Sequence, residues 1–440
     1  MLVSAALALT LSAAAPSLPF QLKTTTLKNG LTVVRVPFSS PGLVAYYSVV
    51  RVGSRNEVEP GHTGFAHFFE HVMFKGTKAW PEGTRDALLG KLGFAENAYT
   101  SDDVTVYHVA GPSSGLDKLI EVEADRFKNL DYGEATFQTE AKAVLGEYNK
   151  SASHPSLKLE ETLLATAFKT HTYRHTTLGF LDDIKEMPSR YEYSKQFFKR
   201  WYTPDNVMLF IVGDFDDKKL MDAITKAYGD WAGTSATVEI PKEGAQAGPR
   251  NASLQWTSPT LPRHLVYWKI PAGTLTGPET AVQLVISEYV AGKTSPLYKQ
   301  LVLEKQSAEA VEPDFSVHRD PHLFGVFTML KDESKRAEVD AAILAAVKDL
   351  SIGTIDPKRL QAIQDHLKYS LIMRLETPDA VADALARTAG ILGAPDALDQ
   401  LMKKVSALKA ADLTAYAKKY LTDETRTTVV FEAPGAGGAR

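Results

Sequence analysis

The stretch "KRWYTPDNVMLFIV" at 199–212 returns as "KKYLTDETRTTVVF" at 418–431, aligned without a gap. Each copy reads as a helix end, a turn and a closing apolar strand, and a repeat separated by about half the chain indicates duplicated domains rather than a solenoid. A chain of 440 residues also exceeds what one hydrophobic core usually holds. The expected fold is therefore α+β: two homologous domains, each a mostly antiparallel β-sheet backed by helices. The Gly, Pro and Ala of "TSATVEIPKEGAQAGPRNAS" mark 234–253 as the linker between domains at 20–233 and 254–434, with 435–440 as a disordered tail.

In the first domain, "LKNGLTVVRVP" reads as a hairpin entry turning at Asn29-Gly30. The run "GLVAYYSVVRVGSRNE" reads as one long strand. "ENAYTSDDVTVYHVAG" alternates as another, with Val104, Val106 and His108 on one side and Thr105, Tyr107 and Val109 on the other. Residues 115–130 and 134–150 read as helices. A formal charge of -4 without a basic cluster gives no electrostatic case for nucleic acid.

The opening "MLVSAALALTLSAAAPS" is an uncharged apolar run ending in small residues, Ala13-x-Ala15 or Ser12-x-Ala14. It resembles a secretory signal peptide (1–15) whose basic region is reduced to the Met amine; a buried strand or a disordered tail is the alternative. No other stretch approaches the roughly eighteen apolar residues of a membrane span. With no Cys in the chain, disulfides, thiolate ligands and a cysteine nucleophile are excluded. The expected location is the periplasm or the outside of the cell, and any metal must be held by His and carboxylate.

"GFAHFFEHVMF" (64–74) sets His67, Glu70 and His71 among Phe65, Phe68, Phe69, Val72, Met73 and Phe74. Buried imidazoles and carboxylates need a compensating charge, hydrogen bonds or a metal. On a helix all three side chains share one face. Two imidazoles one turn apart can both reach an ion at about 2.0–2.1 Å, with the Glu close enough to handle a water on it. The bland alternative is a satisfied core His pair bridged to Glu70. A third ligand decides between the two, and the candidates are Glu140 and Glu147, two turns apart on one face of the helix over 134–150. Alone, that pair would more often be a solvated charged face.

The pattern His67-x-x-Glu70-His71, followed by Glu147 in that later helix, resembles the pitrilysin superfamily of inverted-motif zinc metallopeptidases in both its motif and the distance to its final Glu. That superfamily includes insulin-degrading enzyme and mitochondrial processing peptidase, and the resemblance is to its bacterial two-domain type. "ENAYTSDDVTVYHV" is similar to the family's Asn-Ala-x-Thr-Ser edge strand, "HTYRHTTLG" (171–179) to its His-x-Tyr-x-His segment, and "WYTPDNVMLFIVGDF" to the end of its first domain. The resemblance implies one zinc per chain on His67, His71 and Glu147. It makes Glu70 the general base and Glu140 a further catalytic-site carboxylate behind the ligands. Extended or unfolded peptides become the substrates, bound along an edge strand at Asn97, Ala98 and Tyr99.

Active members also take an Arg and a Tyr from the zinc-free domain, in a segment resembling Ser-Arg-Leu-(x)-Glu-Lys-(x)-Ala-Tyr. Here "SPLYKQLVLEKQSAEAV" (295–311) sets Pro296 and Ala310 at those places, with Tyr298 as a candidate substitute. The expectation is a catalytic subunit that pairs with a zinc-free homologue supplying both groups, or with a second copy of itself. A non-catalytic assembly or core subunit of the same fold is the alternative, and retention of the base Glu70 beside a full ligand set argues against it.

Overall fold

The structure is a computed structural model that describes residues 18–353 and 355–432. The signal-peptide reading at 1–15 and the tail reading at 435–440 lie outside the described residues. Eleven strands form two sheets among them. The first comprises β1 (Lys23–Thr26), β2 (Thr32–Pro37), β3 (Leu43–Val50), β4 (Ala95–Thr100), β5 (Thr105–Pro112) and β6 (Val207–Gly213), in the order β1-β2-β6-β3-β5-β4. The second comprises β7 (Arg250–Gln255), β8 (Arg263–Ile270), β9 (Ala308–Phe315), β10 (His322–Leu330) and β11 (Arg426–Glu432), in the order β7-β11-β8-β10-β9. All neighbours are antiparallel except β2 with β6 and β7 with β11. The α+β fold of two mostly antiparallel sheets backed by helices is therefore as expected.

The repeat holds to the residue. The helix Tyr191–Trp201, the 3-10 turn Pro204–Asn206 and β6 return, with the same lengths and spacings, as Ala410–Tyr420, Asp423–Thr425 and β11. Both closing strands sit parallel to one neighbour and antiparallel to the other. By the same correspondence the edge strand β4 answers to β9, and the helix α1 (Phe65–Val72) to the helix Glu279–Ala291.

Every residue of β6 is buried, the pattern of a strand covered on both faces. Tyr46 of β3 enters a core built with the first half's own helices, whereas Tyr47, Val49, Phe210 and Val212 pack on the opposite face against Val381, Leu385 and Ala389. Those last three belong to a helix of the second half, α4 (Pro378–Leu392). Gly390 lets it approach closely, since a Cβ there would stand 2.7 Å from Val49 Cγ1. Reciprocally, Leu159, Leu163 and Leu164 of the first-half helix α3 (Pro155–Ala167) cover Leu265, Tyr267, Val429 and Phe431 of the second sheet. Each half thus lends one helix to the other's outer face.

Three local expectations are corrected. "ENAYTSDDVTVYHVAG" is the hairpin β4–β5 and not one strand, because Ser101-Asp102-Asp103-Val104 closes a turn with Ser101 N donating to Val104 O at 2.8 Å. The strand expected to run through Glu57 ends at Val50, where Ser54–Asn56 is drawn into a 3-10 turn: Ser54 Oγ donates to Asp102 Oδ1 at 2.9 Å, and Arg55 N to Asp102 O at 2.9 Å. The connecting segment lacks helix and strand only to residue 249, since Arg250 opens β7 with alternating burial against β11. No described helix is long and apolar enough to cross a membrane.

Candidate metal centre

The helix α1 places Phe65, Phe68, Phe69 and Val72 in the core, which turns His67, Glu70 and His71 to its other side. It starts at Gly64, φ 87°, where a Cβ would stand 2.7 Å from Leu178 O. The buried Glu57 carboxylate accepts from the first free amides, Gly64 N at 2.8 Å and Ala66 N at 2.7 Å, and so caps the helix. Glu57 carried no expectation, because a cap so far upstream of the helix follows no spacing rule.

The helix α2 (Glu134–Ala152) supplies the acids. His67 Nε2 lies 3.3 Å from Glu147 Oε2, and His71 Nε2 lies 3.5 Å from Glu147 Oε1. One donor atom from each of the three residues falls within 4.8 Å of the others. Ligand atoms about 2.0–2.1 Å from a shared tetrahedral ion are about 3.4 Å apart, so the spacing fits zinc. The imidazoles have no better occupation: His67 Nδ1 is buried without a hydrogen-bond partner. Burial, reinforced by His71, lowers His67 to about 4, which keeps it unprotonated and able to ligate near neutrality. The Glu147 side chain is 48% exposed, so the donor set is open on one side, as a catalytic ion requires.

Glu140 stands behind the imidazoles. Its Oε2 is 3.7 Å from His71 Nδ1, and its Oε1 is 2.8 Å from Lys75 Nζ, which also reaches Glu82 at 2.9 Å. Glu70 accepts a 2.7 Å hydrogen bond from Thr100 Oγ1 of β4; burial pushes its carboxyl up while Thr100 and His71 hold it down. Thr100 stood in the quoted "NAYTS" stretch without a role. The structure thus brings His67, Glu70, His71, Glu140 and Glu147 together, with Thr100 joining the edge strand to the group.

β4 is the edge of its sheet. Ladder bonds alternate along an antiparallel pair, and since Ser101 N already donates inward to Val104 O, the amides of Glu96, Ala98 and Thr100 face the open edge. Ala98 N there meets only Asn97 Oδ1, at 2.9 Å. Tyr99 points away from α1: its hydroxyl donates to Asp383 at 3.1 Å and Arg387 lies over its ring. Of Asn97, Ala98 and Tyr99, only Ala98 turns its backbone to an edge ligand; Asn97 and Tyr99 pair inward with His108 and Val106, and the Tyr99 ring is engaged elsewhere.

In the second half, Pro296 is the first residue of a short helical turn capped by Ser295, with Tyr298 N donating to Ser295 Oγ at 3.0 Å. Ala310 lies in β9. Ala310 borders the site corresponding to the metal centre, a cavity of about 860 Å³ lined also by Tyr298, Arg359 and His366. Arg359 is engaged there, stacked over the Tyr289 ring at 4.0 Å. His171 and Tyr173 join the two halves: His171 Nε2 lies 3.1 Å from Asp320 Oδ2, and Asp320 N donates to the Tyr173 hydroxyl at 3.3 Å, while His175 stays within the first half, its Nδ1 3.0 Å from Thr176 O.

Residues 42–179 match the family described as Insulinase (Peptidase family M16), and residues 190–367 match the Peptidase M16 inactive domain. The zinc protease PqqE of Helicobacter pylori is 29% identical over 414 residues, covering 93% of this chain and 92% of that one. The crystal structure of a protease from Helicobacter pylori superposes with a TM-score of 0.87 at 28% identity, covering 94% of this chain and 99% of the other. The periplasmic protease PqqL of Escherichia coli shares the fold, with a TM-score of 0.77 at 18% identity over 94% of this chain and 48% of its own.

Proposed function

Since the chain belongs to peptidase family M16, the insulinase family, we propose that it is a zinc-dependent endopeptidase for extended or unfolded peptides and the catalytic member of a heterodimer. The observation that carries this reading is the convergence of His67, His71 and Glu147, each imidazole nitrogen 3.3 or 3.5 Å from a Glu147 oxygen and one donor atom of each residue within 4.8 Å of the others, with Glu70 beside them. One zinc held there supplies Lewis acidity, lowering the pKa of a coordinated water to around 7 and polarising a carbonyl.

The chain's own groups do the rest. Glu70 takes the proton of the attacking water and returns it to the leaving amine, its carboxylate held in place by Thr100. Glu140 orients His71 from behind. A peptide adds to β4 through the outward backbone of Glu96 and Ala98, displacing Asn97 Oδ1 from Ala98 N. Main-chain pairing of this kind gives affinity with little sequence selectivity.

The partner requirement rests on Pro296 and Ala310, which the family resemblance sets at the places of the Arg and Tyr of active members. Missing oxyanion donors typically cost on the order of 10²–10³ in rate, and a zinc-free homologue would restore them. A periplasmic location is consistent with the apolar leader. The test is cleavage of a quenched fluorescent peptide by the chain alone, by Glu70→Gln, and by each mixed with a zinc-free homologue from the same source, with zinc assayed throughout. Activity in the mixture alone, abolished by Glu70→Gln without loss of zinc, is the expected result; full activity of the lone chain refutes the partner requirement, and a zinc-loaded mixture that cuts nothing refutes the peptidase.

A further inference from the structure

We infer that the junction between the halves holds a second divalent-cation site, of the zinc class, ligated by Asp102, His318 and His322. Asp102 sits in the β4–β5 turn, just beyond the Thr100 that holds Glu70. His318 and His322 come from the second half, His322 as the first residue of β10. Their rings stack with centroids 3.6 Å apart and planes within 19°. The stack presents His318 Nδ1 and His322 Nε2 to the same oxygen, Asp102 Oδ2, at 3.5 and 3.9 Å. The three ligand atoms lie within 4.8 Å of one another, and Asp103 Oδ2 is 3.3 Å from the same His318 nitrogen.

Hydrogen bonding does not account for this cluster. His318 is 8% exposed; its Nε2 meets Ser316 Oγ at 2.7 Å, while its Nδ1 has no hydrogen-bond partner. Neither ring nitrogen of His322 has one. Buried polar atoms are nearly always paired, so three bare nitrogens in one cluster need a cause. A protonated His318 between Asp102 and Asp103 explains one of them. It leaves both ring nitrogens of His322 bare.

A dication explains the cluster better. It takes His318 Nδ1, His322 Nε2 and Asp102 Oδ2 directly, and its charge offsets the two adjacent carboxylates. Binding turns the two rings out of their present near-parallel stack, so that both lone pairs point at the ion, and closes the 3.5 and 3.9 Å separations to about 3.4 Å. Two imidazoles with a carboxylate suit zinc rather than the all-oxygen shells of magnesium or calcium. Asp103 Oδ2, which accepts from Arg319 N at 3.1 Å, has a second lone pair that can complete a closed, structural tetrahedron; otherwise water enters from the adjoining cavity of about 440 Å³. Such an ion ties the β4–β5 hairpin to the second half. Its ligands are separate from α1 and α2, so the site stands or falls independently of the peptidase reading.

The test is zinc stoichiometry in the full-length chain, stripped with chelator, reloaded with zinc(II) alone and desalted. Two ions per wild-type chain are expected, one in His67→Ala/His71→Ala, and one in Asp102→Asn/His322→Ala, the last without loss of the zinc at His67 and His71. Added zinc should also raise the thermal midpoint of His67→Ala/His71→Ala, and not that of the four-fold variant. A single ion in the wild type, or two ions persisting in Asp102→Asn/His322→Ala, overturns the site. Should the His67/His71 variant not fold, wild type against Asp102→Asn/His322→Ala decides by the same counts.

Discussion

Glu140→Gln separates a carboxylate that tunes the metal ligands from one that merely pairs with a lysine. Removing the outer partner of a ligating histidine commonly costs ten- to a hundredfold in metal affinity or activity. The geometry puts this case at the low end. At 3.7 Å the contact with His71 Nδ1 is electrostatic rather than a hydrogen bond. Two full charges at that distance would interact by about 4.5 kcal/mol at an effective dielectric near 20, but a ligating imidazole carries only part of a charge. Lys75 at 2.8 Å opposes most of the carboxylate's field. The expected loss is therefore about tenfold in zinc Kd, or about 1.4 kcal/mol, read by chelator competition, with a similar fall in kcat/KM. Lys75→Met should move the other way, tightening zinc a few-fold, because Glu140 then faces His71 unopposed. If Glu140→Gln lowers the thermal midpoint while the zinc Kd stays put, Glu140 serves Lys75 and the reasoning is wrong.

Thr100→Val removes the donor that holds down the Glu70 carboxyl, so the acid limb of the pH–rate profile should move upward with zinc content unchanged; an unmoved limb denies Glu70 the role of base. Leu385→Ala, in the second-half helix that covers the first sheet, should cost about 2–5 kcal/mol and shift one common calorimetric transition. Two separate transitions, with only one displaced, would contradict the exchanged packing. Burial pushes Glu243 up, but the amides of Thr170, Lys169 and His171, helped by Lys269, bring it down to about 2. A depressed acid stabilises above its ordinary pKa near 4.5 and loses that contribution as the pH falls toward 2. After solvent screening the contribution is about 1–2 kcal/mol, so urea midpoints of metal-free Glu243→Gln should fall below the wild type at pH 7, with the gap narrowing through pH 3 and closing only below about pH 2.

What could be read from the sequence was local. His67, Glu70 and His71 lie within little more than one helical turn, and Glu140 and Glu147 share a helix face, so helical periodicity alone assembles each group. The repeat was equally legible, because both copies keep the same helix, turn and strand lengths. Periodicity failed where it ran in phase through a turn: the alternation before Ser101 continues after Val104, and nothing but the turn chemistry of Ser101-Asp102-Asp103 divides β4 from β5. Contacts between distant segments left no trace in either pattern. Asp102 and His318 belong to different halves of the chain and meet only because the halves pack as they do, and the apolar face of the helix Pro378–Leu392 fits any sheet, with nothing to mark it for the other half's.

That exchange bears on the proposed need for a partner. Separating the halves would uncover Tyr47, Val49, Phe210 and Val212 on one sheet and Leu265, Tyr267, Val429 and Phe431 on the other. At about 1.5–3 kcal/mol for each large apolar side chain, such an opening is out of reach of peptide binding. The hairpin carrying Thr100 is fastened to the second half as well, through Tyr99 to Asp383, while Tyr173 holds its turn at Asp103. Tyr298 and Ala310 therefore keep a fixed place relative to Glu70, and no closure of the chain on itself delivers new donors to the metal centre. On the proposed reading, donors that arrive with the substrate ride on a second body. This is why mixing with a zinc-free homologue, rather than a search for activating conditions for the lone chain, is the decisive assay.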